Sequence, residues 1–142
     1  MSKSNTLETN LLKLLFNGTA MANIADNAGT SPLTNLYVSL HTADPGEAGS
    51  QNTSEASYTG YARVAVARSG SGWTVSGNSV SPVASIDFPA CTGGTNTITY
   101  FGIGTASSGA GSLLYSGTVT PSISVSNGIT PKLTTATAIT ED

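Results

Sequence analysis

The spacing of apolar residues changes once along the chain, from a helical to a strand period, near Asn35. Before that point Leu7, Leu11, Leu14 and Leu15 recur at i, i+4, i+7 and i+8, which lines one face of an α-helix. Asn5 is suited to cap the first turn, with Glu8 three positions on as the reciprocal partner of a capping box. Asn17-Gly18 supplies a left-handed stop. The spacing predicts a helix over residues 6–16. Residues 19–34 read as a short helical turn followed by a loop.

From Asn35 onward the period is two. "NLYVSLH" sets Leu36, Val38 and Leu40 against Tyr37, Ser39 and His41. "YARVAVA", "SGWTVSG", "PVASIDFP", "NTITYFGIG", "GSLLYSGTV" and "PSISVS" follow as further strands, and "GITPKLTTATAIT" reads as one interrupted near Pro131. Gly, Ser, Asn and Pro punctuate them at close intervals. The pattern predicts a mainly β fold, a jelly-roll-like β-sandwich of about eight strands with a short N-terminal α-helix on an edge or open end. The expected organisation is a helix and connecting loop over residues 1–34 and a sandwich over 35–142, one domain overall. "GSQNTSEASYTG", Gly49 to Gly60, has no apolar periodicity. It is expected to be a long exposed loop of the kind that partners hold.

Composition narrows the function. At 142 residues the chain suffices for one domain with a core. Only 9% of residues are charged, well under the usual quarter. A surface so poor in Lys and Glu suits a protein covered by its neighbours in an assembly. The net charge is −3, and the basic residues Lys3, Lys13, Arg63, Arg68 and Lys132 are scattered. Tracking a phosphate backbone needs clustered cations, so nucleic acid is not an expected partner. Cys91 is the single cysteine, which forbids an intramolecular disulfide and points to synthesis in a reducing cytoplasm. The most apolar run, Leu11 to Phe16, is too short to span a bilayer and lacks signal-peptide features. No membrane partner is expected.

Candidate chemistry is sparse. Ser39, His41 and Asp44 lie close together, and Ser39 and His41 share a strand face. Asp44, however, opens the turn sequence "ADPG". Catalytic triads draw on separated segments with an oxyanion hole. The expectation is a polar strand face running into an Asx-turn. One His and one Cys far apart give no metal-ligand set, and Asp44 and Glu47 flank a turn without the alternating oxygens of a calcium loop. The glycines of "FGIGTASSGAGS" precede a strand and lack the Gly-Lys-Ser/Thr of a phosphate loop. No catalytic, cofactor or metal residue is expected. Tyr58 and Tyr61, flanking the polar loop, are candidate protein contacts. The leucine stripe of Leu7, Leu11 and Leu14 either docks on the sandwich or meets a neighbouring subunit.

Several blocks, in this order, resemble a family of small tailed-bacteriophage virion structural proteins: the leucine helix, "LYVSLHTADPGEAG", "YTGYARVAV", Trp73, "IDFP", "ITYFGIGTASSGAGSLLYSG" and "VSNGIT". Members are labelled tail fibre or structural proteins, and proteins of this kind also serve as capsid cement or decoration proteins. The resemblance implies no catalytic residues. The first expectation is therefore a non-enzymatic cement protein on the capsid surface, binding the major capsid protein and itself as a homo-oligomer. The alternative is a tail or tail-fibre component, although the repeats or coiled coils of long fibres are missing. From another class, a carbohydrate-binding module would need Tyr37 or Trp73 exposed on a groove.

Overall fold

The computed structural model describes residues 5–21 and 32–141. Most of the loop expected over 19–34 falls on residues 22–31, outside the described residues, as does the Leu7 side chain. The fold is mainly β, with antiparallel sheets and a single short helix at the N-terminal end of the described residues. The chain divides into two compact units: Met1–Asn35, Val66–Ser85 and Thr134–Asp142 form the first, and Leu36–Ala65 and Ile86–Leu133 the second.

In the first unit, helix α1 (Asn5–Asn17) packs with strands β3 (Trp73–Ser76) and β4 (Ser79–Pro82), which with β9 (Ile139–Thr140) form a three-stranded antiparallel sheet in the order β3-β4-β9. The helix ends where Asn17-Gly18 predicts. Its buried face is not the leucine stripe. Glu8, Leu12 and Phe16, spaced i, i+4 and i+8, are buried, whereas Leu11, Leu14 and Leu15 are only partly covered. The Phe16 ring meets the fully enclosed Trp73 edge-on, with centroids 4.8 Å apart. That aromatic contact sets the roll of the helix about its axis, and leucine periodicity alone carries no information about it. Thr9 fixes the same orientation from one side, its Oγ1–H donating to Gly77 O at 2.6 Å.

A helix end leaves carbonyls without partners. Here Arg68 takes two of them: Nε–H donates to Leu15 O at 2.7 Å and an Nη2–H to Leu14 O. No basic residue lies in the last turn of α1, so a cation from a distant segment supplies the favourable charge at the negative end of the helix dipole.

The second unit holds the large sheet, order β2-β1-β6-β7, built from β1 (Asn35–His41), β2 (Val64–Ala67), β6 (Asn96–Gly104) and β7 (Leu113–Val125), with the ends of β1 and β2 running into the first unit. A two-stranded ribbon pairs β5 (Ile86–Asp87) with β8 (Lys132–Leu133). β1 and β6 match the expected spans. Leu36, Val38, Leu40, Phe101 and Ile103 lie on one face of the sheet and are buried. "GSLLYSGTV" and "PSISVS" prove to be one strand: Val119–Ser122 bulge out between the Ile98–Ile123 and Tyr100–Thr118 pairs. Pro121 sits inside this bulge, where its missing N–H costs no ladder bond. The expected strand at Pro82–Pro89 is broken into β4 and β5, with Val83–Ser85 exposed.

Truncating Phe16 to Ala empties the site against Trp73 and should cost about 3–5 kcal/mol of stability. Denaturant unfolding followed by the fluorescence of Trp73, the only tryptophan, checks this. A loss below about 1 kcal/mol would mean that the helix does not depend on the aromatic contact.

Candidate functional site

Toward the end of β1 the polar face is buried like the apolar one, because the chain after the strand folds back over Ser39 and His41. Ser39 and His41 have no exposed surface. The Thr53 carbonyl lies 2.8 Å from His41 Nδ1, so this nitrogen carries the proton. Nε2 is then the acceptor, and Ser39 Oγ–H donates to it at 2.8 Å. Burial holds the imidazole below its ordinary value of 6.5, and the bond to Thr53 and the charge of Glu55 oppose this only in part. The order of hydrogen bonds resembles an acyl-transfer dyad with a carbonyl in place of the carboxylate. The pair is tightly enclosed: a Cβ on Gly102 would already lie 2.8 Å from Ser39 Oγ and 2.7 Å from His41 Nε2. Asp44 stands apart, accepting Gly46 N–H at 2.9 Å in the expected Asx-turn.

Beside this pair lies a second buried polar group that sequence reading missed. Gln51 is fully enclosed. Its Nε2 donates to Tyr37 O at 3.2 Å, its Oε1 accepts from Ala106 N–H at 2.9 Å, and its own N–H donates to Gly111 O at 3.0 Å. A Cβ on Gly104 or Gly111 would overlap the Gln51 side chain. Two glycines in a stretch that resembles a phosphate loop therefore form the socket for an amide.

Glu55 and Arg63 make the third element. Arg63 Nε and Nη2 donate to the two carboxylate oxygens at 2.7 and 2.8 Å, a bidentate pair. The remaining donors reach the carbonyls of Ala106 at 2.9 Å and Gly109 at 2.6 Å. Glu55 holds the Arg63 pKa above its ordinary value. Tyr61 O–H donates to Glu55 Oε1 at 2.8 Å while its oxygen accepts Leu40 N–H at 3.1 Å. Burial pushes this phenol far above its ordinary range. One legible signal existed: in a chain so poor in charge, an arginine within the alternating "YARVAVA" is a natural member of an internal pair.

The expected exposed loop is therefore only partly exposed, since Gln51, Ala56 and Tyr58 are buried within Gly49–Gly60. Tyr58 donates to Pro89 O at 2.9 Å and packs edge-on against Tyr61, with centroids 5.4 Å apart. Burial raises its pKa. Tyr58 and Tyr61 thus have partners inside the chain, and Leu11 and Leu14 keep part of their surface open. Trp73 is enclosed and Tyr37 half-buried, so Trp73 offers no sugar-stacking face. No group of three or more His, Cys, Asp or Glu among the described residues is placed to hold a metal ion.

A cleft of about 510 Å³ lies between the Asp44, Gly46 and Glu47 turn and Leu113–Ser116 at the start of β7. It is shallow and lined by two carboxylates, a tyrosine, a serine and two leucines.

A family model described as "Podophage GP4 fiber I protein gp80" matches residues 2–140. No curated protein matches the chain.

Two outcomes follow from the buried groups. Adding a methyl at Gly104 (Gly104→Ala) should destabilise by about 1–3 kcal/mol through overpacking. The loss should be non-additive with Gln51→Ala, by about 1 kcal/mol or more in a double-mutant cycle, because both changes act on one socket. His41 gives the only imidazole signal, which should titrate below 6.5 in the folded protein. An unfolded state that binds this proton more readily makes stability fall as pH is lowered through about 6.5, and full above it. An NMR titration midpoint at or above 6.5 would contradict the burial.

Proposed function

The chain belongs to the family of the podophage GP4 fiber I protein gp80, and on that premise we propose that it is a non-enzymatic fibre component of a tailed-phage virion. The observation that carries this reading is the match over residues 2–140 to a family described by its fibre. As a phage virion structural protein it would act through the surfaces it presents to other virion chains.

The absence of catalysis is supported by geometry. The only Ser–His pair is sealed beneath Gly102, and Asp44 is engaged in a turn. Arg63 and Arg68 are held by Glu55 and by backbone carbonyls, which supports leaving nucleic acid out of its partners. No helix among the described residues is long and apolar enough to cross a membrane.

The interacting surface would be polar and nearly uncharged. β7 carries Ser, Thr and Gly between its apolar residues and no ionisable group other than Tyr115. Such a surface can pair through hydroxyl and backbone hydrogen bonds without stripping water from many ions. Self-association and the half-open Leu11 and Leu14 flank of α1 belong to the same proposal. The capsid-cement placement uses the same physics, binding free energy summed over many copies. Its support is the charge-poor composition, whereas the fibre placement also has the family's description.

Immunogold labelling of intact virions separates the two. Gold on the fibres or tail is the expected result. Gold spread over the shell would replace the fibre reading by the cement reading.

A further inference from the structure

The chain that returns after β1 is fastened at two points, one on each side of a short stretch bonded to His41. Gln51 is fixed in its glycine socket. Glu55 is clamped by Arg63, and its backbone is bridged to His41. Between these anchors Asn52 and Ser54 are exposed and Thr53 is half-buried. Three bonds tie the stretch to the end of β1 and the residue after it. His41 Nδ1–H donates to Thr53 O at 2.8 Å, and Thr42 N–H and Oγ1–H donate to Ser54 O at 2.8 and 3.2 Å. The bonds of Thr53 N–H to Ser50 O and of Ser50 N–H to Thr53 Oγ1 stay within the turn itself. Ser54 is the one non-glycine residue among those described with a positive φ, 53°. A side chain is held there at a cost that opening would relieve.

The ring fits its surroundings in one protonation state. Nδ1–H faces a carbonyl, which can only accept, and Nε2 faces the hydroxyl that donates to it. A proton on Nε2 would set two hydrogens against each other, and Ser39, with no exposed surface, is closed off from solvent. Arg63 opposes a second positive charge nearby. Glu55 would favour one, but both of its oxygens are already taken by Arg63, and Tyr61 donates to one of them. From the sheet, Tyr100 of β6 stands opposite His41, and Leu113 of β7 reaches the same point above Gly102. Neither offers a carboxylate.

We propose that Asn52–Ser54 is an acid-operated flap, released from β1 when His41 takes up a proton while Gln51 and Glu55 hold its two ends. Release hydrates the ring and relieves Ser39 of its enclosed position, so acid both uncovers and charges this end of β1. The direction follows from the two forms. With the flap closed, burial holds the ring below 6.5; with it released, the ring titrates at that ordinary value. The closed form is therefore complete above 6.5, and the released share grows as pH falls below it. Because both anchors stay in place, the opening is local and the sheet survives it, unlike the loss of global stability in acid. The flap is a property of this chain and stands apart from its place in the virion.

Hydrogen exchange on the full-length protein labelled with nitrogen-15 tests this, with protection factors corrected for the intrinsic effect of pH. The Thr42 amide, bonded to Ser54 O, should lose about tenfold in protection between pH 6 and pH 5, the slope of one linked proton. Dilute urea should leave that value unchanged, since a local opening exposes little surface. Amides of β6, a strand paired on both sides, should remain at least about tenfold better protected and should respond to urea. His41→Gln, which takes up no proton, should flatten the pH response at Thr42. Should that variant fail to fold, the wild-type slope and its indifference to urea decide alone. Protection at Thr42 that stays flat from pH 7.5 to 5, that falls with urea in step with β6, or that keeps its pH response in His41→Gln would overturn the proposal.

Discussion

The second unit depends on one constraint: from Val38 to His41 both faces of β1 are buried, and one of them is polar. An unpaired buried polar group costs on the order of 1–3 kcal/mol, so covering Ser39, His41 and Gln51 is possible only if each finds a partner. The chain after β1 meets this need by bringing its own backbone into the site. Thr53 O takes the His41 proton, while Gly111 O and Tyr37 O take N–H groups of Gln51. Space for these side chains comes from Gly102, Gly104 and Gly111. The position of residues 42–63 is therefore fixed by these hydrogen bonds together with the burial of Ala56 and Tyr58.

Charge is used in the same economical way. The two arginines each act as an internal staple, Arg63 between Glu55 and the β6–β7 connection, Arg68 at the C-terminal end of α1. Each joins segments distant in sequence through several directed donors, a task suited to a planar guanidinium and not to a lysine. With the arginines engaged inside, the exposed surface of the described residues carries few ions, among them Asp44, Glu47 and Lys132, beside many hydroxyls and a few apolar side chains such as Leu33, Val83 and Ile129. Such a surface suits a protein that meets other chains in a virion, where shape and main-chain bonding give specificity and exposed ions would have to be desolvated.

The family's fibre label and the composition of β7 bear on this from different sides. One concerns the assembly to which the chain belongs, the other the kind of contact a mostly uncharged strand can make. Along β7 a partner would meet hydroxyl groups, Tyr115 and a few apolar side chains.

Much of the architecture was legible in local pattern. A period of two located β1 and β6 to the residue, and the leucines with Asn17-Gly18 located the helix, because periodicity and turn chemistry are properties of neighbouring residues. The Asx-turn at Asp44 was legible for the same reason. What tertiary structure decided was which faces are covered. The helix turned Leu12 and Phe16 inward once Trp73 stood opposite, and a loop without apolar rhythm buried Gln51 and Tyr58 through hydrogen bonds. Ser39 and His41 became inaccessible because residues 42–63 fold back beside them and Gly102, with no Cβ, lets Leu113 pack close to the pair. Sequence determined the helix, β1, β6 and the turn at Asp44. Burial and pairing depend on residues far apart in the chain, and only the folded arrangement brings those together.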